Sequence, residues 1–263
     1  MSRPAAIALF LAATGCVPAK RQPSQDDAGN TASRSGSRPR AELLAVSANA
    51  APSTAPAPSA ELPELDVLLA PFKDDFERAE LGDDYFATAA QYRIDRGKLC
   101  VKGARNHPLW LRHRLPKNAR IEVDAQTTGN DGDIKLEAWG DGHSAASKAS
   151  YTNATSYIAI FGGWKNSYHV LARLDEHAAN RPEVAIEPGS DDPRQQSVLA
   201  DRRYRLKLER ADGHSVRFWV DDVELLSFAD PEPLSGVGHE HFAFNAWETP
   251  VCFDNLVVAP LPG

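Results

Sequence analysis

Aromatic, imidazole and amide side chains recur on the polar phase of several short segments in the second half of this 263-residue chain. Flat rings pack against C–H faces, while imidazole and amide groups exchange hydrogen bonds with hydroxyls, so the mixture suits a polyol ligand. Trp139 stands beside Glu137 in Ile134-Lys135-Leu136-Glu137-Ala138-Trp139. In Gly238-His239-Glu240-His241-Phe242-Ala243-Phe244-Asn245-Ala246-Trp247, Phe242 and Phe244 fit an interior phase and leave His239, His241, Asn245 and Trp247 on the other. Trp164 and His169 flank the Gly162-Gly163 break, where a bulge can re-aim a side chain. Trp139, Trp164, His169, His239, His241, Asn245 and Trp247 are therefore the candidate ligand-binding set. Against it stands the plainer reading that tryptophans at sheet edges cover core, since strand phase alone does not say which sheet a residue faces. Trp219, beside Arg217 and Asp221 in a hairpin suited to the back sheet, reads as structural.

Other chemistries are weaker in this sequence. Glycosidic cleavage uses two carboxyl groups, about 5 to 5.5 Å apart for retention or roughly 6.5 to 9.5 Å for inversion. Glu122 and Asp124 share one face of a strand at a spacing of about 7 Å, and Glu137 offers an acid from a neighbouring strand. Solvated strand acids are the more ordinary reading, so no catalytic residue is assigned. His239 and His241 face the same way and could meet one zinc, but a third ligand must come from elsewhere. Asn130, Asp131 and Asp133 could offer oxygens to calcium, yet the turn lacks a full EF-hand pattern. No cofactor is assigned, and calcium alone is kept open. The formal net charge of -7, with no basic stripe, argues against nucleic acid. No GxxxxGK[ST] segment is present, which removes the P-loop.

The elements that would carry these residues are strands. Apolar residues recur at every second position in Ile121-Glu122-Val123-Asp124-Ala125-Gln126, in Tyr204 to Glu209 and in Val216 to Asp221. Tyr168 to Leu174 reads as another strand. Asp95-Arg96-Gly97 and Ala211-Asp212-Gly213 supply hairpin turns, and Asn130-Asp131-Gly132-Asp133 precedes a strand. No helix of three turns appears after residue 72. Ten or more strands in roughly 190 residues fit an all-β, two-sheet antiparallel sandwich better than a seven-strand immunoglobulin unit. Arg181 to Arg203, with three prolines and Asp191-Asp192, reads as a long surface loop.

The amino-terminal region differs in kind. Apart from Phe10, the first aromatic residue is Phe72, and 26 of the 44 residues from Val17 to Ala60 are Ala, Pro, Ser or Gly. Such a chain gains little by collapsing. Residues 1–15 carry Arg3 and then a short apolar run, too short to cross a hydrocarbon core of about 30 Å. Ala13-Thr14-Gly15-Cys16 resembles the lipobox of bacterial lipoproteins, with Ala13 where Leu is usual. The resemblance implies cleavage before Cys16 and lipid attachment to it, because stable anchoring needs two or more acyl chains. Val17 after the cysteine resembles the outer-membrane class. The expected organisation is a signal peptide at 1–15, an anchored linker at 16–71 and a β-domain at 72–263. The expected location is the bacterial cell envelope, held at the outer membrane by the N-terminal lipid.

The β-region is similar to the concanavalin A-like lectin/glucanase superfamily, in the style of laminin G-like jelly rolls. Phe72-Lys73-Asp74-Asp75-Phe76-Glu77 resembles their opening strand, Tyr92 to Leu99 their first hairpin, and Val251-Cys252-Phe253-Asp254-Asn255-Leu256-Val257-Val258 their closing strand. The resemblance implies a jelly-roll sandwich with a sugar-binding sheet face. Gln126 replaces the last acid of the E-x-D-x-E strand of laminarinase-type members, which argues against their mechanism. With Cys16 lipidated, Cys100 and Cys252 remain, one early and one in the closing strand; they form a disulfide or are two separate buried thiols. A carbohydrate or related cell-envelope polymer is the expected partner. A glycosidase-like enzyme and a non-catalytic structural or protein-binding module are the alternatives.

Overall fold

The computed structural model describes residues Leu65–Gly263. The expected signal segment, the lipid site Cys16 and the linker up to residue 64 lie outside the described residues. Alternation of apolar and polar residues builds two antiparallel sheets. The eight-stranded sheet runs β13 (Val223–Ala229), β12 (Ser215–Val220), β11 (Arg203–Arg210), β6 (Ala119–Thr127), β15 (Val251–Pro260), β4 (Leu99–Val101) and β3 (Arg93–Ile94). Its eighth strand, β1 (Phe72–Asp74), also pairs with β15, placing Phe72 opposite Val258. The seven-stranded sheet runs β10 (Glu183–Ala185), β9 (Tyr168–Arg173), β8 (Tyr157–Gly162), β7 (Ile134–Gly140), β14 (His241–Ala246), β5 (Leu109–Leu111) and β2 (Tyr85–Ala87).

The sheets face each other across one apolar core. Ile121, Val123, Leu206, Leu208, Phe218 and Phe253 come from the eight-stranded sheet, and Leu136, Ala138, Phe242 and Phe244 from the other. Alternation works because successive strand residues point to opposite faces. The result is an all-β jelly-roll sandwich of concanavalin A-like form. Among the described residues, no helix is long and apolar enough to cross a membrane.

Cys100 and Cys252 sit opposite one another where β4 pairs β15, and they form a disulfide across 152 positions of sequence. The segment Arg181 to Arg203 is more ordered than its prolines suggest. Val184 adds β10 to the sheet edge opposite His169, and Pro193–Gln195 makes one 3-10 turn capped by the Asp192 carboxylate. Pro182 precedes β10 and leaves its ladder donors intact.

The outer face of the seven-stranded sheet is partly covered. The connection from Asp141 to Ser156 folds back over β7 and β8, and fully buries Tyr151 in a second small apolar cluster with Ile158, Ile160, Val170 and Ala172. The Asp141 carboxylate starts this strap by accepting from the backbone N–H groups of His143 and Ser144. Trp110 is pinned beneath it, its indole N–H donating to the Ser144 carbonyl at 2.9 Å.

Candidate functional site

Beside the strap, at the start of β7, lies an open pocket of about 480 Å³. Trp164, Lys165, Trp247, Ala149 and Ser150 form its sides, with Asn106, Asp133, Lys135 and Glu176 below them and Asp131, His177, Glu248 and Thr249 completing the lining. Two loops in close contact set the walls. Gly132 adopts φ 65°, and a Cβ there would collide with the carbonyl oxygen of Gly162. The absence of a side chain thus lets the turn before β7 lie against the turn after β8. Asn166 ties the same loops, donating to the carbonyls of Asn130 (2.6 Å) and Val198 (2.8 Å) and accepting from Val198 N–H (2.9 Å).

Trp164 is held out by unusual backbone. Trp164, Lys165 and Asn166 are consecutively left-handed, with φ of 50°, 57° and 59°. Each such non-glycine residue costs roughly 1–2 kcal/mol, so the turn is maintained by its surroundings. Trp164 is 37% exposed. The Arg181 guanidinium lies 4.6 Å from its centroid and His177 stands edge-on at 5.6 Å.

The floor is an ionic network. Lys135 Nζ donates to Asn106 Oδ1 (2.7 Å) and Glu176 Oε2 (2.9 Å) and lies 3.5 Å from Asp133 Oδ1. Burial pulls the Lys135 ammonium down, but the Asp133 and Glu176 carboxylates outweigh it and hold its pKa above the ordinary value. Burial raises the Asp133 pKa, opposed by Lys135. Glu176 also accepts from Tyr151 N–H at 3.1 Å and from Asn106 Nδ2 at 3.3 Å, which joins the pocket floor to the strap.

Under the strap, Glu137 is fully buried. It accepts from Ser156 Oγ (2.5 Å), Asn245 Nδ2 (2.6 Å) and Tyr151 Oη (3.1 Å). Burial nevertheless dominates these hydrogen bonds and pushes its pKa up to about 7.

Of the seven residues in the candidate set, Trp164 and Trp247 line this pocket. The other five do not. His241 and Asn245 do occupy the outer face of β14, but the strap lies over them: His241 Nδ1 donates to the Leu111 carbonyl (2.9 Å) beneath Gly142, and Asn245 is spent on Glu137. His239 precedes β14 and faces a different cavity, its Nδ1 2.7 Å from the Thr155 carbonyl.

Trp139 corrects the strand-phase argument. It is the extra residue of a bulge, since Gly140 pairs His241 while Ala138 pairs Phe242, and its φ of 56° turns the ring into the core. His169 is likewise interior. It shares the parity of Leu171, stacks on Phe161 at 4.8 Å and is held near pKa 4 by burial, against a hydrogen bond to the Gln196 carbonyl. β9 is buried on both faces, so its alternation carries no sign of which side is wet.

The carboxylate pairing also receives a correction. Glu122 lies on β6 and Glu137 on β7, in different sheets and on opposite outer faces, so they share no groove. Asp124 is occupied by Arg205 and Arg203, each at 3.3 Å, and by Asn255 Nδ2 at 2.9 Å. Trp219 lies on the eight-stranded sheet with Lys207 Nζ 4.3 Å from its ring centre. Among the described residues no three His, Cys, Asp or Glu side chains gather as metal ligands. At the turn considered for calcium, Asp133 already faces the Lys135 ammonium.

Of the pocket's polar lining, the sequence singled out only Asp131 and Asp133, as possible calcium oxygens, and not as part of a site with the tryptophans. Asn106, Glu176 and His177 come from loops without periodicity, and Lys135 reads as an ordinary wet-face lysine. The available signal was its alternation with Ile134 and Leu136 on the strand that also carries Glu137.

The fold and pocket define a β-sandwich of the concanavalin A-like class with an aromatic-walled, polar-floored cavity. No protein-family model matches the chain, and no curated protein matches it. Among solved structures, it is similar to the carbohydrate-binding module CBM66 from Bacillus subtilis, at 15% identity and a TM-score of 0.49, covering 67% of this chain and 95% of that one. It is also similar to the Emp47p carbohydrate recognition domain, at 11% identity and a TM-score of 0.49, covering 73% and 96%. A third similar structure is the Bacillus licheniformis β-glucanase, at 9% identity and a TM-score of 0.48, covering 73% and 98%. These likenesses concern the arrangement of the sheets.

Proposed function

We propose that this chain is a non-catalytic module that binds carbohydrate, or a related polar polymer of the cell envelope, in the pocket between Trp164 and Trp247. The observation that carries the reading is the convergence of two indole rings over a floor of hydrogen-bonding groups in one cavity of about 480 Å³. Such a cavity falls in the size range of small-ligand sites. Indole faces supply apolar contact for sugar C–H surfaces. Asn106, Asp131, Ser150 and Thr249 supply hydrogen-bond donors and acceptors for hydroxyls. The left-handed turn that holds Trp164 is strained local structure of the kind that clusters at binding sites.

In this reading the domain is displayed outside the cytoplasm by lipid on Cys16 at the outer membrane. The Ala13-Thr14-Gly15-Cys16 sequence and the Cys100–Cys252 disulfide support it, since disulfides persist in oxidising compartments. Mass spectrometry of the amino-terminal peptide from native membranes tests the anchor. An amino-terminal Cys16 carrying two or more acyl chains is expected, and an unmodified Met1 terminus contradicts it.

Glycan and cell-wall-fragment arrays probed with the full-length protein test the ligand. Binding that disappears in both Trp164→Ala and Trp247→Ala is expected; no ligand, or equal binding by all three proteins, contradicts the site. A second reading, an envelope module that binds protein, is favoured by one observation: the strap fills the centre of the outer sheet face with Tyr151. Crosslinked protein partners recovered together with a glycan-silent array would select it.

A further inference from the structure

The floor of the aromatic pocket holds more acid than base. Asp133 and Glu176 share the single ammonium of Lys135, and they share it unequally. Lys135 Nζ donates to Glu176 Oε2 at 2.9 Å and to Asn106 Oδ1 at 2.7 Å, whereas Asp133 Oδ1 stands 3.5 Å away, past ordinary hydrogen-bond length. Burial, and then the Glu176 carboxylate, disfavour the charged form of Asp133; Lys135 and the Trp247 N–H favour it. An ionised carboxylate offers about four lone-pair sites, so acceptor capacity remains on Asp133. Its side chain is 13% exposed, against 4% for Lys135, and it lines the pocket.

The surroundings do not supply a second cation. Arg105 is taken by Glu248 at 2.8 Å and Arg181 by Glu183 at 3.0 Å. Lys165 and Asp131 are both exposed and offset one another. His177 Nε2 turns to Glu176 Oε1, at 3.3 Å. The floor thus keeps one buried negative charge in excess, and buried charges in native proteins are paired. Beside it stands a surface suited to a cation. An indole face attracts an ammonium as well as C–H groups, and Trp164 already carries the Arg181 guanidinium in this way at 4.6 Å. The Trp247 indole has no ring or cation partner among the described residues.

We propose that the pocket selects a sugar bearing a free, protonated amine, whose ammonium pairs with Asp133 beside the Trp247 indole. This names the ligand class within the carbohydrate reading and rests on it. The same excess charge turns away uronates and phosphates, and N-acetylation of the sugar removes the cation.

The test is calorimetric titration of the full-length protein, near neutral pH and at low ionic strength, with three β-1,4-linked tetrasaccharides that differ only at C2: those of glucosamine, N-acetylglucosamine and glucose. The amine chain is expected to bind about tenfold tighter than the other two, and to lose that advantage in Asp133→Asn. Asn keeps the shape and leaves Lys135 its bonds to Glu176 and Asn106. A salt series on wild type reads the same charge without a substitution, and the advantage should shrink as salt is added. Equal or tighter binding of the acetylated or the glucose chain overturns the inference and leaves the pocket standing as a neutral-glycan site. So does binding of none of the three, or a preference that neither Asp133→Asn nor salt diminishes. Amine binding undiminished in both Trp164→Ala and Trp247→Ala overturns the inference and the carbohydrate pocket together.

Discussion

Glu137→Gln isolates the electrostatic consequence of the strap. In the folded chain the Glu137 pKa rises from 4.5 to about 7 because burial disfavours the carboxylate. That rise of about 2.5 corresponds to about 3 kcal/mol at about 1.4 kcal/mol per pKa unit. Between pH 4.5 and 7 the folded state holds a proton that the unfolded state has released, so this group's contribution falls as pH rises through that window. Below it both states are protonated and the effect vanishes. Gln keeps the shape and stays neutral, its amide oxygen still accepts from Asn245, and the Ser156 and Tyr151 hydroxyls can rotate to accept from its amide nitrogen. His169 acts in the opposite sense. Its pKa is lowered to about 4, so its contribution is lost as pH falls from 6.5 toward 4, and the wild-type profile partly masks both groups. Urea unfolding of both proteins at pH 4, 5.5, 7 and 8 removes His169 by subtraction. The variant should match wild type at pH 4 and exceed it by about 3 kcal/mol at pH 8. A difference that is constant across the range would refute the burial argument.

Further predictions probe the loops and the staple. Lys135→Met leaves Asp133 and Glu176 buried without their cation and should lower stability by about 3–5 kcal/mol in denaturant unfolding. Gly132→Ala forces a Cβ against the Gly162 carbonyl at positive φ; a loss of more than about 1 kcal/mol, with weakened ligand binding, is expected by melting and titration together. Lys165→Gly relieves a left-handed residue and should raise stability by about 1 kcal/mol, measured in the same way. Reduction, or the Cys100→Ser/Cys252→Ser pair, should lower stability by about 2–4 kcal/mol, read as a fall in Tm.

Much of the architecture was legible because one-face burial writes itself into alternation. Ile121 to Gln126, Ile134 to Ala138 and Tyr204 to Glu209 all became strands of the expected phase. The turn at Asp95-Arg96-Gly97 joins β3 to β4 and places Ile94 opposite Leu99. Alternation fails where its assumption fails. Trp139 occupies a bulge, which reverses its side at no visible change in composition. β9 is buried on both faces, so His169 could not be assigned. The strap leaves no periodic trace: Tyr151 sits among Ser, Thr, Asn and Ala, yet its burial turns Glu137, His241 and Asn245 from a wet face into a covered one. Trp247, chosen for its phase with Asn245, and Trp164, chosen for the Gly162-Gly163 break, come to line one pocket because both stand where strands end and neighbouring loops meet.

The most direct measurement is calorimetric titration of the best array glycan into wild type, Trp164→Ala, Trp247→Ala and the control Trp219→Ala, whose ring lies on the other sheet. The account predicts that each pocket variant loses about 1–3 kcal/mol of binding, while the control binds like wild type. Unchanged affinity in both pocket variants, or equal losses in all three, would contradict it.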